Sequence, residues 1–176
     1  PSPRQAQPGL FPQSRPALAS LAYAGVCSPA HAVGGDYYDF LTLGPDRLGL
    51  VIGDVMGKGM AAALLMANLQ ANLRSQVAFA VDTGRLLQSV NHLFCENSPE
   101  GAFASLFFAD YHDATGALRY VNCGHLCPLV LRRDGTLDRL AATSTVLGLF
   151  RQWECAVGES HLEPDDLLAL YTDGVT

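Results

Sequence analysis

The spacing of apolar positions along this chain changes period twice, and each change marks a new kind of element. Tyr37, Tyr38, Phe40, Leu41 and Leu43 form one β-type run, Leu48 to Ile52 form another, and Gly44-Pro45-Asp46 between them is a turn signal. The pattern predicts a hairpin. From Gly57 to Phe79 the period becomes helical, with Ala61 to Ala63 as strong formers and Leu65, Leu69 and Leu73 recurring four apart. Asn68, Asn72 and Gln76 repeat at the same interval on another face, expected to be solvated. Asp82-Thr83-Gly84 restarts the chain, and Leu86, Leu87, Val90, Leu93 and Phe94 predict a second helix ending near Asn97-Ser98-Pro99. After Gly101 the pattern returns to β. Phe103 to Tyr111 and Leu118 to Asn122 flank the turn signal Asp113 to Gly116, and Leu126 to Arg132 leads through Asp134-Gly135 to Leu137 and Leu140, an antiparallel meander. Trp153 to Val157 and Asp166 to Thr172 read as further strands, and residues 141–150 as a loop folding back over the functional end. Ahead of the hairpin, Leu18 to Ala30 predicts a first strand broken at Ser28-Pro29, and the proline-rich residues 1–16 read as an extended linker that Leu10 and Phe11 can anchor.

Within this pattern the stretch Leu48 to Met66 organises the rest. An apolar strand delivers the carboxylate of Asp54 into a turn carrying Gly53, Gly57 and Gly59, and a helix follows whose first N–H groups are unpaired. Asp36 and Asp54 lie at similar distances from the hairpin turn, so an antiparallel ladder brings them to the same open end. Either acid alone would simply cap a turn or a helix. Two carboxylates that close repel unless a cation or a proton separates them. The arrangement of strand, acid and glycine recurs at Asp173-Gly174, after the apolar run ending at Thr172.

Composition narrows the chemistry. A chain of 176 residues with 49% hydrophobic content supports one domain with a large core. The formal net charge of -6 leaves no basic stripe for nucleic acid or anionic membrane, and no apolar run reaches the roughly 18 residues of a membrane span. A cytoplasmic protein is expected. The five cysteines are scattered, and Cys123 with Cys127 supplies only half of a tetrahedral zinc site. Asp36, Asp54 and Asp173 offer oxygen donors alone, which selects Mg2+ or Mn2+. No cysteine has the glycine and arginine setting of a thiolate phosphatase, and no serine has a G-x-S-x-G setting. Lys58, the only lysine, stands at the start of the first helix as a point-charge contact for phosphate or as an ordinary exposed residue. His125 in a glycine bend either donates to a phosphate or bonds to nearby backbone, and it stays outside the candidate set. His92 reads as a surface or packed histidine.

Four blocks, VGGDYYDF, LVIGDVMGKGMAAALLM, YVNCGHLCPLVL and LEPDDLLALYTDGV, together resemble the SpoIIE-type branch of the metal-dependent PPM serine/threonine protein phosphatases. The resemblance implies an α/β (α+β) sandwich of two stacked antiparallel sheets flanked by helices. It further implies two Mn2+ or Mg2+ ions, with Asp54 bridging them, the Val55 carbonyl binding one, Asp173 ligating the other, and Asp36 holding the first directly or through water. A further aspartate would lie beyond Thr176. On this view residues 1–16 are a linker from an upstream sensor or receiver domain, and 17–176 are a phosphatase domain cut before its C-terminal end. The implied substrate is a phosphoserine or phosphothreonine, typically on an anti-sigma-factor antagonist of the STAS type. Met56 occupies the position where eukaryotic members carry a histidine proposed as general acid, and Cys123 one where alanine is commoner. The alternative is a catalytically inactive signalling module of the same fold that binds a regulatory partner.

Overall fold

Alternation along the strands decides the layers. In β1 (Asp36–Gly44) and β2 (Arg47–Val55), Tyr37, Leu41, Val51 and Val55 enter one core, whereas Phe40, Leu48, Leu50 and Ile52 enter another on the opposite face. The computed structural model describes residues 6–28, 33–80 and 82–175. In it β1, β2, β3 (Ala104–His112), β4 (Ala117–Cys123) and β7 (Gly158–His161) form one antiparallel sheet in that order. A smaller antiparallel sheet runs β6 (Leu137–Arg139), β5 (Leu129–Leu131), β8 (Leu167–Ala169). The two stack through Leu48, Leu50, Phe107 and Leu118 on one side and Val130 and Leu168 on the other, giving the expected sandwich of antiparallel sheets.

Two helices cover the outer face of the larger sheet. In α1 (Gly59–Val77) Met66, Leu69 and Leu73 face the sheet, and in α2 (Thr83–Asn97) Leu86, Leu87, Val90 and Phe94 do so. Asp82 caps α2 by accepting from Arg85 N at 2.9 Å. An ion pair fastens α1 to β1: the wholly buried Asp39 accepts from Nε and Nη2 of the half-exposed Arg74, each at 2.7 Å, and from Tyr37 Oη at 2.7 Å. Asn68, Asn72 and Gln76, expected in solvent, are half-buried, and Asn68 Nδ2 donates to Asn97 O at 2.8 Å to join the helices. Among the described residues no helix is long and apolar enough to cross a membrane.

Several expected boundaries move, each for a packing reason. Residues 18–28 form no strand; Pro29 and Ala30 of that expectation lie outside the described residues. The segment is an extended strap, its Ala19 and Ser20 N–H groups donating to the Asp113 carboxylate at 2.7 and 2.9 Å and its Tyr23 ring lying 4.7 Å from Phe40. Residues 153–157 are not a strand either. Trp153 enters the helix-side core, and Trp153 Nε1 donates to Thr145 O at 3.1 Å, so the ladder to β4 begins only at Gly158. The expected strand Leu126 to Arg132 shortens to β5 and leaves the large sheet for the small one, because Gly124 takes φ 63° and bends the chain after β4. Of the expected linker, Gln7–Leu10 is a 3-10 turn, where Gln7 exchanges two hydrogen bonds with the Gly34 backbone at 2.7 and 3.0 Å. Residues 1–5 lie outside the described residues.

Candidate metal centre

Register sets the two hairpin acids face to face. Asp36 and Asp54 are direct partners across the β1–β2 ladder, and strand alternation points both toward the small sheet, on the face that carries Phe40, Leu50 and Ile52. Ser105 pairs with Asp54 on the other side and continues the polar row. Beyond β4 the bend brings His125 beneath Ser105. Its Nε2 stands 3.1 Å from the Tyr171 carbonyl, which can only accept, so Nε2 carries the proton and Nδ1 accepts from Ser105 Oγ at 2.8 Å. Burial lowers the His125 pKa, opposed by its bond to Tyr171 and by Asp36 and Asp173, and keeps the ring neutral. Asn122, wholly buried, accepts from His125 N at 2.8 Å and fixes the bend.

The third acid arrives differently from the expectation. β8 ends at Ala169, so Asp173 is not at a strand tip; Leu170 to Thr172 carry the chain out of the ladder and Asp173 opens the 3-10 turn Asp173–Val175. The His125 ring bonds that segment at the Tyr171 carbonyl. All three acids share one electric field: burial first, then Asp36, then Asp173, push the Asp54 carboxyl up to about 6. The Cys27 thiol of the strap, pushed up to about 11 by burial and by Asp36, borders the same place. A cleft of ≈ 540 Å³ is lined by Asp36, the strap residues Ala24 to Ser28, Tyr38, Ile52, Leu168 to Thr172, Gly174 and Val175.

The residues fit a hard cation on the chemistry of their donors, which are carboxylate and carbonyl oxygens. Gly35 shapes the cradle: a Cβ there would stand 2.4 Å from Val55 O and 3.3 Å from Asp54 Oδ1, so only glycine lets these oxygens sit against the start of β1. Val55 N in turn donates to Gly35 O at 3.2 Å. Among the described residues no three Asp, Glu, His or Cys side chains form a group that holds a metal ion as they stand, so the acids share a field without closing into one ligand set. Lys58 is exposed at the N-cap of α1 and makes no side-chain cap bond. Residues 141–150 fold along the same end of the large sheet but on its helix face, where Leu147 exchanges backbone hydrogen bonds with Ala104 at 2.9 and 3.0 Å. Ser105 and Asn122 were invisible as site residues in the sequence, because only strand pairing and the bend at Gly124 connect them to the acids.

Comparison with known proteins agrees with this fold. Residues 44–176 match the family described as stage II sporulation protein E (SpoIIE). Protein IcfG of a Synechocystis strain is 30% identical over 98% of this chain and 32% of its own length. Phosphoserine phosphatase RsbU of Bacillus subtilis is 28% identical over 89% of this chain and 47% of its own. The crystal structure of the RsbU and RsbW domains of Rv1364c from Mycobacterium tuberculosis superposes with a TM-score of 0.72 at 31% identity, over 85% of this chain and 42% of that one. The chain thus spans less than half the length of each of these relatives.

Proposed function

The chain belongs to the SpoIIE family, and from that premise we propose that it is a phosphatase that uses Mn2+ or Mg2+ to hydrolyse phosphoserine or phosphothreonine on a regulatory protein. The observation that carries this reading is the direct opposition of Asp36 and Asp54 at the sheet end, in one field with Asp173. Asp36, Asp54, the Val55 carbonyl and Asp173 would hold two cations. When bound, such ions polarise phosphoryl oxygens and make a water more acidic, so that hydrolysis needs no protein nucleophile. The chain's own residues orient and shield. Gly35 keeps the Val55 and Asp54 oxygens close together, and His125 fixes the segment bearing Asp173. Lys58 at the start of α1 meets the phosphate as a point charge. The substrate protein is of the STAS antagonist type, and an upstream sensor or receiver domain controls turnover.

The test is phosphate release from a phosphoserine peptide. Release that needs Mn2+ and disappears in Asp54→Asn supports the reading. If the wild-type protein releases none with either metal, the fold serves as a partner-binding module instead.

A further inference from the structure

An ionised carboxylate can only accept hydrogen bonds, so a serine next to one has an obvious place for its proton. Ser105 does not use it. The half-buried Ser105 is the direct partner of Asp54 across the β2–β3 ladder, on the same face of the sheet, which sets the two Cβ atoms about 5 Å apart. Its hydroxyl instead bonds His125 Nδ1 at 2.8 Å, and among the described residues Oγ makes no other bond. The far end of the row dictates the direction of each bond. The Tyr171 carbonyl accepts, so His125 Nε2, 3.1 Å away, holds the ring proton; Nδ1 is then an acceptor and Ser105 the donor. The ring is held in that orientation by burial and by its own backbone, because His125 N donates to Oδ1 of the wholly buried Asn122 at 2.8 Å and Asn122 Nδ2 donates to Leu140 O at 3.1 Å. A serine hydroxyl has one proton and two lone pairs. With the proton committed to His125, Ser105 offers Asp54 nothing but lone pairs, and the Asp54 oxygens stay open for a cation.

Two acceptors side by side call for a molecule that brings a proton to each, and water is the one small enough to bridge them. We propose that Ser105 orients the attacking water: the water donates one hydrogen bond to Ser105 Oγ and one to Asp54, which turns a lone pair toward phosphorus. His125 is the positioning residue behind it, since it decides that Ser105 accepts on this side. The inference rests on the phosphatase reading of the acids and adds the group that aims the nucleophile, a contribution made through geometry alone. Ser105 takes no proton in the step. The water oxygen bonds to phosphorus as the bond from phosphorus to the serine oxygen breaks; one water proton ends on that leaving oxygen and the other stays with the phosphoryl group, so the products are serine and hydrogen phosphate.

The experiment compares wild type, Ser105→Ala and Ser105→Thr in steady-state hydrolysis of a phosphoserine peptide at saturating Mn2+. Ser105→Ala should lower kcat by about 10- to 100-fold, the loss expected when a reactant is misdirected. KM and the calorimetric affinity for Mn2+ should stay within about twofold of wild type, since the lost interaction belongs to the transition state. Ser105→Thr keeps the hydroxyl and should restore most of kcat. Nitrogen-15 NMR of the metal-free protein reads the row without any turnover: the His125 proton should sit on Nε2, and the Nδ1 resonance should move to that of an unbonded acceptor in Ser105→Ala but stay near its wild-type position in Ser105→Thr. Undiminished turnover by Ser105→Ala, or a loss that appears in KM or Mn2+ affinity instead of kcat, overturns the proposal and leaves the phosphatase reading standing. A ring proton found on Nδ1 does the same. A wild type that releases no phosphate with Mn2+ or Mg2+ brings down both.

Discussion

Asp36 stands directly across the ladder from Asp54, at the end of β1 and β2 and on the face between the sheets. The charges are costly there: the folded state raises the Asp54 carboxyl to about 6, through burial, Asp36 and Asp173 in that order. Unfolded, the group titrates near about 4. A raised carboxyl contributes stability below the unfolded value that is lost as pH rises through the folded one, so the metal-free wild type should lose stability between about pH 4 and 6. Asp54→Asn should flatten that profile, melt higher than wild type in chelator at pH 7.5, and show no rise in Tm with Mn2+. Calorimetric melts across pH, with and without the cation, check all three.

Gly35→Ala tests the cradle without touching a charge. The new Cβ would meet Val55 O at 2.4 Å, and both partners are backbone-fixed, so the Val55 carbonyl or the start of β1 must move. Circular dichroism should be unchanged. Titration calorimetry should show Mn2+ affinity weakened by about 10- to 100-fold, the range seen when groups supporting metal ligands are disturbed.

His125→Ala removes a ring that is only 6% exposed and bonded through both nitrogens. Ser105 Oγ and the Tyr171 carbonyl would lose their partner in a buried place, at a cost of about 1–3 kcal/mol. Urea denaturation measures that cost. The Asp173 segment should loosen as well, so Mn2+ affinity should fall along with stability, although His125 donates nothing to the cation.

The hairpin, both helices and the paired acids were legible because each depends on short-range pattern: two β-type apolar runs either side of Gly44-Pro45-Asp46, period 3.6 for α1 and α2, and a turn whose length fixes Asp36 opposite Asp54. What escaped depends on long-range packing. Trp153, Cys155 and Val157 alternate like a strand, yet they pack on the helix-side core instead of pairing. Leu18 to Ser28 also looks like a strand, but its hydrogen bonds go to the Asp113 carboxylate and to Tyr38 rather than to a ladder. The role of His125 turned on Tyr171, 46 residues away, which no local spacing announces.

The tie between α1 and β1 should be more costly to cut than a surface ion pair. Asp39 is wholly buried and would keep only Tyr37 Oη and the Phe40 N–H as donors, so Arg74→Ala leaves its charge unpaired and should destabilise by about 1–3 kcal/mol. Arg119→Ala breaks the exposed pair with Glu159 and should cost under about 1 kcal/mol. Denaturant midpoints of the two variants, measured side by side, make the comparison.

The strap gives a second pH dependence, of opposite sign to that of Asp54. The Ser20 hydroxyl, then the N–H groups of Ala19 and Ser20, hold the Asp113 carboxyl below its usual range against a smaller upward push from burial. A carboxyl depressed in the folded state stabilises above its unfolded pKa of about 4 and loses that contribution as pH falls through the folded value. The strap should therefore keep its amide protection between pH 7 and 5 and lose it below about 4, while the amides of β2 and β3 stay protected. Asp113→Asn leaves one acceptor in place of two and removes the charge, so at pH 7 its strap should already exchange as the wild-type strap does in acid. Hydrogen exchange corrected for intrinsic rates reads both. Loss of protection in β2 together with the strap would mean that the whole sandwich opens, and that Asp113 does not govern the strap separately.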